Sequence, residues 1–122
     1  MYIIHVEILH VIRSLNMRKL KINETSLYIL LSIIENPLSG YEITRKIIEI
    51  TNGRLKVQTG IMYPTLKKLL DLEMIEIVDV EKVERNKKIY RITELGIEIV
   101  NRELDQYELK VKEIRSILDN QK

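Results

Sequence analysis

The chain has 122 residues, 45% of them hydrophobic, a share that supports one packed domain and argues against wholesale disorder. It has no cysteine, which excludes a disulfide framework and thiol chemistry. Basic residues outnumber acidic ones by only two, so net charge neither demands nor excludes nucleic acid, and what counts is whether the basic side chains cluster.

The opening stretch, residues 1–16, reads MYIIHVEILHVIRSLN. It lacks a basic start, is broken by His5, Glu7 and His10, and is too short to span a bilayer, so no membrane association is expected. Ile4, Ile8, Val11 and Leu15 share a helical stripe, although Ile4, Val6 and Ile8 also suit one face of a strand. Residues 1–22 are therefore read as a separate N-terminal segment of helical character. His5 and His10 share neither a helix face nor a strand side, and no acidic cluster joins them, so no metal is expected.

Residues 23–93 carry the alternation of elements expected of a compact domain. Asn23, or Thr25 just after it, starts a helix through Leu27, Leu30, Leu31 and Ile34 to Asn36, where Pro37 ends it. Ser39-Gly40-Tyr41-Glu42 has the spacing of a capping box. The helix it opens runs to about Thr51, with Tyr41, Ile43, Ile47 and Ile50 expected inside, and Asn52-Gly53 stops it.

After an extended link comes Gln58–Leu72, QTGIMYPTLKKLLDL, in which Met62, Leu66 and Leu69 form an apolar stripe. Thr59 is the expected cap, and Pro64 is placed near the first turn, where its missing N–H costs least. The other side carries Gly60, Tyr63, Pro64, Lys67 and Asp71. A helix end with exposed amides, hydroxyls and a lysine suits a phosphate-lined groove, although a merely wetted surface helix has the same pattern. Lys67 and Lys68 suit phosphate positioning, whereas Gln58 and Thr59 have the groups for base-edge hydrogen bonds.

From Met74 to Val80 the period changes to two, and Lys87 to Thr93 repeats it, which predicts a β-hairpin with a charged tip. Arg85, Lys87 and Lys88 there serve either as contacts or as edge-strand protection. Thr93 then caps a long helix over 94–122. In it Ile97, Val100, Leu104, Tyr107, Val111, Ile114 and Leu118 recur at alternating spacings of three and four, an a/d seam. Such a helix is about 37 Å long and exceeds what so small a body covers, so it pairs with a second copy or folds back on the first helix. Three helices, a hairpin and a long helix make the fold mainly α with a small β-hairpin: a winged helix-turn-helix plus a long C-terminal dimerisation helix. No nucleophile-base pair, phosphate loop or paired carboxylates stand out, so no enzyme and no cofactor are expected.

Three strings, LYILLSIIENPLSGYEITRKI, GIMYPTLKKLLDLEMI and KKIYRITELGIEIV, resemble the PadR-type transcriptional regulators. The pattern Gly-x-hydrophobic-Tyr-Pro-x-Leu-x-x-Leu is met in full by Gly60, Met62, Tyr63, Pro64, Leu66 and Leu69. The resemblance implies a homodimeric transcription factor, usually a repressor, that dimerises through the C-terminal helix and the N-terminal segment; the absence of cysteine fits a cytoplasmic location. It places Gln58, Thr59, Tyr63 and Lys67 at double-stranded DNA, with Gly60, Pro64 and Lys68 in the same surface and Arg85, Lys87 and Lys88 in the wing. Two departures stand out: Glu73 replaces the usual glycine before the first strand, and Glu81 and Glu84 dilute the wing. An unidentified small-molecule effector stays open as a partner. The competing functional readings are a protein-interaction module on the same scaffold and a chromatin-type DNA binder without an operator.

Overall fold

The computed structural model describes residues 21–78 and 87–121. The readings for residues 1–20, including both histidines, and for the hairpin tip with Glu81, Glu84 and Arg85 lie outside the described residues. The described elements are α1 (Glu24–Ser32), β1 (Leu38–Ser39), α2 (Gly40–Ile50), α3 (Thr59–Asp71), β2 (Ile75–Val78), β3 (Ile89–Ile92) and α4 (Glu94–Asp119).

Asn23 starts α1, its Oδ1 accepting from the Ser26 amide at 2.8 Å. The helix stops at Ser32, short of the expected Asn36. The chain leaves it early because Leu38–Ser39 must reach the sheet, where β1 lies against β3. The capping box of α2 is closed in both directions, the Glu42 amide donating to Ser39 Oγ and the Ser39 amide to Glu42 Oε1. Ile43 and Ile47 are fully buried, but Tyr41 is 68% exposed and Ile50 is exposed too, against expectation. Tyr41 is two residues from Ile43, about half a turn round the helix. Ile50 sits in the last turn, beside the left-handed Asn52 and Gly53, past the reach of the core.

On α3 the stripe of Met62, Leu66 and Leu69 is buried against Ile29, Leu30, Ile33, Ile43 and Ile47. The sheet runs β1-β3-β2, all antiparallel, with Ile75 opposite Ile92 and Ile77 opposite Tyr90. Ile75 and Tyr90 face the core, and Arg91 bonds Glu76 across the strands on the wet side.

A tight junction joins α3, the hairpin and α4. Glu73 takes a left-handed φ of 60°, and the Met74 amide reaches back to the Leu69 carbonyl, so the turn keeps the geometry a glycine ordinarily gives. Thr93 Oγ1 donates to the Glu73 carbonyl at 2.7 Å and accepts from the Gly96 amide at 3.1 Å, which makes Thr93 the cap of α4. A Cβ on Gly96 would lie 2.3 Å from the Met74 carbonyl oxygen.

From that anchor α4 packs Leu95, Ile99 and Val100 onto the body, Ile99 being buried although it lies off the seam. All described residues from Leu104 to its end are exposed, so this part of the helix does not fold back on α1. Replacing Gly96 with Ala should destabilise the fold by about 1–3 kcal/mol, because the clash is with backbone that cannot swing away. Gly60→Ala, with open space around the added carbon, should be neutral or stabilising. Urea unfolding of both variants would compare them.

Candidate nucleic-acid interface

The exposed side of α3 begins at Gln58, which is extended and is itself the N-cap, with no side-chain capping bond. Thr59 is therefore the first helical residue and not the cap. The Gln58 carbonyl already accepts from the Ile61 and Met62 amides, both at 2.9 Å, so the helix starts one residue earlier than expected. Without a capping hydrogen bond to spend, the side chains of Gln58 and Thr59 stand in solvent at the helix's positive end.

Gly60, Tyr63, Pro64, Lys67, Lys68 and Asp71 are exposed along the same side. No atom lies within 4 Å of a Cβ built on Gly60, so internal packing does not require a glycine there, and its bareness leaves room for an approaching surface. Pro64 lies inside the helix and beyond the first turn, which corrects its expected place. Lacking an N–H, it removes the helical donor for the Gly60 carbonyl four residues back. The bare residue and its spare acceptor thus coincide. Ile61, which the sequence reading passed over, is 52% exposed beside them. Its signal was available: it falls outside the Met62/Leu66/Leu69 stripe.

Tyr63 is 53% exposed but not loose. A Cβ on Gly40 would come within 3.3 Å of its ring and hydroxyl, so the ring lies close over the first turn of α2. Around it opens a cleft of about 320 Å³ between that turn (Ser39, Gly40, Tyr41), Tyr63, Tyr90 and the wing lysines Lys87 and Lys88. Lys67, Lys68, Lys87 and Lys88 make no ion pair among the described residues, whereas Arg54, Arg91 and Arg102 are paired with Glu24, Glu76 and Glu98. Arg45 packs on the Tyr41 ring 5.8 Å from its centroid and extends the basic surface along α2.

Two groups in this region titrate away from their ordinary values. Hydrogen bonds from the Ser39 amide and hydroxyl hold the Glu42 carboxyl low, with a smaller push from the Lys87 charge. Burial, and then Tyr63, raise the Tyr90 hydroxyl, which keeps it protonated as a donor. Among the described residues no group of three or more His, Cys, Asp or Glu is placed to hold a metal ion, and no helix is long and apolar enough to cross a membrane.

A second surface lies at the far end of the chain. Ile97, Leu104, Tyr107, Val111, Ile114 and Leu118 are exposed large hydrophobics, and Val100 is half-buried where α4 leaves the body.

The sequence profile described as the transcriptional regulator PadR-like family matches residues 29–102. A transcriptional regulator from Clostridium thermocellum is similar at 26% identity and a TM-score of 0.64, over 75% of this chain and 89% of that one. A Bacillus subtilis PadR solved in complex with operator DNA is 26% identical with a TM-score of 0.60, over 79% of this chain and 60% of that one. A PadR family regulator from Clostridium difficile shares the fold, with a TM-score of 0.65 at 18% identity, over 79% of this chain and 99% of that one. No curated protein sequence matches the chain.

The depressed Glu42 carboxyl sets a pH dependence. Its stabilising contribution is complete at neutral pH, above the ordinary carboxylate range, and is lost as pH falls through the lower value of the folded protein. Glu42→Gln keeps a capping-box oxygen without the charge. Its acid unfolding curve, followed by circular dichroism, should fall less steeply below the ordinary glutamate range than that of the parent chain.

Proposed function

Because the chain belongs to the PadR-like family of transcriptional regulators, we propose that it is a sequence-specific DNA-binding repressor acting as a homodimer, with α3 in the major groove and the hairpin as its wing. The observation that carries this reading is the division of α3. Met62, Leu66 and Leu69 are sealed in the core, while Gly60, Tyr63, Pro64, Lys67 and Lys68 stand in solvent, the lysines without ion pairs among the described residues. A bare glycine and a proline on one side with two lysines that make no ion pair among the described residues favour a groove over an ordinary wet face.

In this reading Gln58 and Thr59 hydrogen-bond base edges, and Ile61 meets thymine methyl groups. Gly60 allows the helix end to come close. Lys67 and Lys68 fix the register on phosphates, with Arg85, Lys87 and Lys88 adding contacts from the wing. The apolar seam from Ile97 to Leu118 joins two copies, with residues 1–22 adding to the dimer, so that two α3 helices address successive major grooves about 34 Å apart. The Bacillus subtilis PadR bound to its operator supports the DNA reading by likeness. Repression follows where the occupied site overlaps a promoter. A small-molecule effector would act by changing the dimer's geometry, between the N-terminal segment, α1 and α4.

Titrating the chain against the region upstream of its own gene and a shuffled fragment of equal length, at several salt concentrations, tests the proposal. A preference of about 10³-fold or more for the upstream region is expected. Equal binding to both fragments indicates a chromatin-type role, and no binding by a folded dimer indicates a protein partner. Lys67→Ala should lower the slope of log affinity against log salt by about one, equally on both fragments. Val111→Glu, a charge in the middle of the seam, should convert the dimer to a helical monomer in sedimentation equilibrium and weaken operator binding with it.

A further inference from the structure

The cleft between the wing and the first turn of α2 holds a group that the fold itself does not use. Tyr90 is only 4% exposed, yet its hydroxyl makes no hydrogen bond among the described residues. No fully enclosed side-chain nitrogen or oxygen lacks a partner there, so the Tyr90 hydroxyl is one that the contents of the cleft can reach. On the adjacent helix α3 the Thr65 hydroxyl, by contrast, is spent on the Ile61 carbonyl.

Everything else that lines the cleft has the same sign of preference. The positive end of α2 opens into it at Ser39, Gly40 and Tyr41. Lys87 and Lys88 stand at its rim and make no ion pair among the described residues, and Tyr63 adds a second hydroxyl. The acidic residue nearby, Glu42, is held on the Ser39 amide by the capping box and feels the Lys87 charge, but does not itself line the cleft. A site with a helix N-terminus, two ammonium groups and hydroxyl donors, and with no carboxylate lining it among the described residues, suits a small tetrahedral oxyanion.

We infer that this cleft is the seat of one DNA backbone phosphate, held by the Tyr90 and Tyr63 hydroxyls, the first turn of α2 and the lysines Lys87 and Lys88. This rests on the DNA-binding reading above and adds to it a residue in the sheet and a helix that is not the groove helix. A phosphate seated there fixes the angle at which α3 enters the groove, because Tyr63 belongs to both the seat and the helix. The contact carries no base information, so it acts on every DNA sequence alike.

Tyr90→Phe removes the one hydroxyl and leaves the apolar ring in the core, with an unchanged melting temperature expected. Titrated on the upstream and shuffled duplexes, it should bind each about 3- to 10-fold more weakly, the loss appropriate to one hydrogen bond, and with an unchanged salt slope. Lys88→Ala should lower that slope by about one on both duplexes. Unchanged affinity of Tyr90→Phe overturns the seat, as does a loss confined to the upstream duplex, which would make the hydroxyl a base contact. Failure of the parent chain to bind either duplex is a different result, which removes the DNA reading itself. A second arm titrates inorganic phosphate, against chloride at equal ionic strength, into the DNA-free protein while the tyrosine resonances are followed. Saturation by free phosphate that Tyr90→Phe abolishes, together with unaltered DNA affinity, assigns the cleft to a soluble anion and overturns the DNA assignment.

Discussion

The hydroxyl of Thr93 is the joint on which the architecture turns. It donates to the Glu73 carbonyl and accepts from the Gly96 amide, while its own amide donates to the Met74 carbonyl. One residue thus ends β3, caps α4 and ties both to the turn that closes α3. The left-handed Glu73 costs about 1–2 kcal/mol as a non-glycine residue, and the hydrogen bonds onto its carbonyl and the next residue offset that cost. Gly96 completes the joint by letting the start of α4 sit against the Met74 carbonyl, closer than any side chain allows. Because these are short, directional contacts among backbone groups, the direction of α4 relative to α3 is set where the two helices nearly meet.

The exposed surface of α3 and the first turn of α2 is assembled by the same economy. The capping box of α2 uses Ser39 and Glu42 on each other, leaving the turn between them bare enough for the Tyr63 ring. On α3 the stripe that seals the core is only three residues wide, so the rest of the helix is released from packing. Its composition there, a glycine, a proline and two adjacent lysines, is not accounted for by packing among the described residues. That is the argument for an external partner, and it does not depend on net charge, which is close to neutral.

The sequence was most legible where cause and effect are neighbours. The caps at Asn23, Ser39 and Thr93 were readable because donor and acceptor are three residues apart, and the stripe of Met62, Leu66 and Leu69 because the helix period is strong. What escaped was decided by distant partners. β1 is two residues long and exists only because β3 runs beside it, and that pairing also pulled the end of α1 back to Ser32. Burial of Ile99, off the seam, reflects the angle at which α4 leaves the body. Thr59 looked like a better cap than Gln58 by side-chain chemistry, but the backbone of Gln58 was already turned to start the helix. Tyr90 read as an ordinary strand residue, since alternation predicts which face it takes and not that its hydroxyl would be left over. The seam and the exposed lysines of α3 could be read from spacing, while the cleft between wing and α2 needed the fold.

The distribution of aromatic residues makes the molecule its own optical instrument. It has six tyrosines and neither tryptophan nor phenylalanine, so no indole drains or masks their emission. Tyr41, Tyr63 and Tyr90 border the cleft, Tyr107 lies on the seam, and Tyr28 sits under the Arg54 guanidinium between α1 and the link to α3. Near-ultraviolet fluorescence and circular dichroism therefore report on the functional surfaces without any label. Single tyrosine-to-phenylalanine replacements would separate the signal of one surface from another, in a chain too small to tolerate bulky dyes.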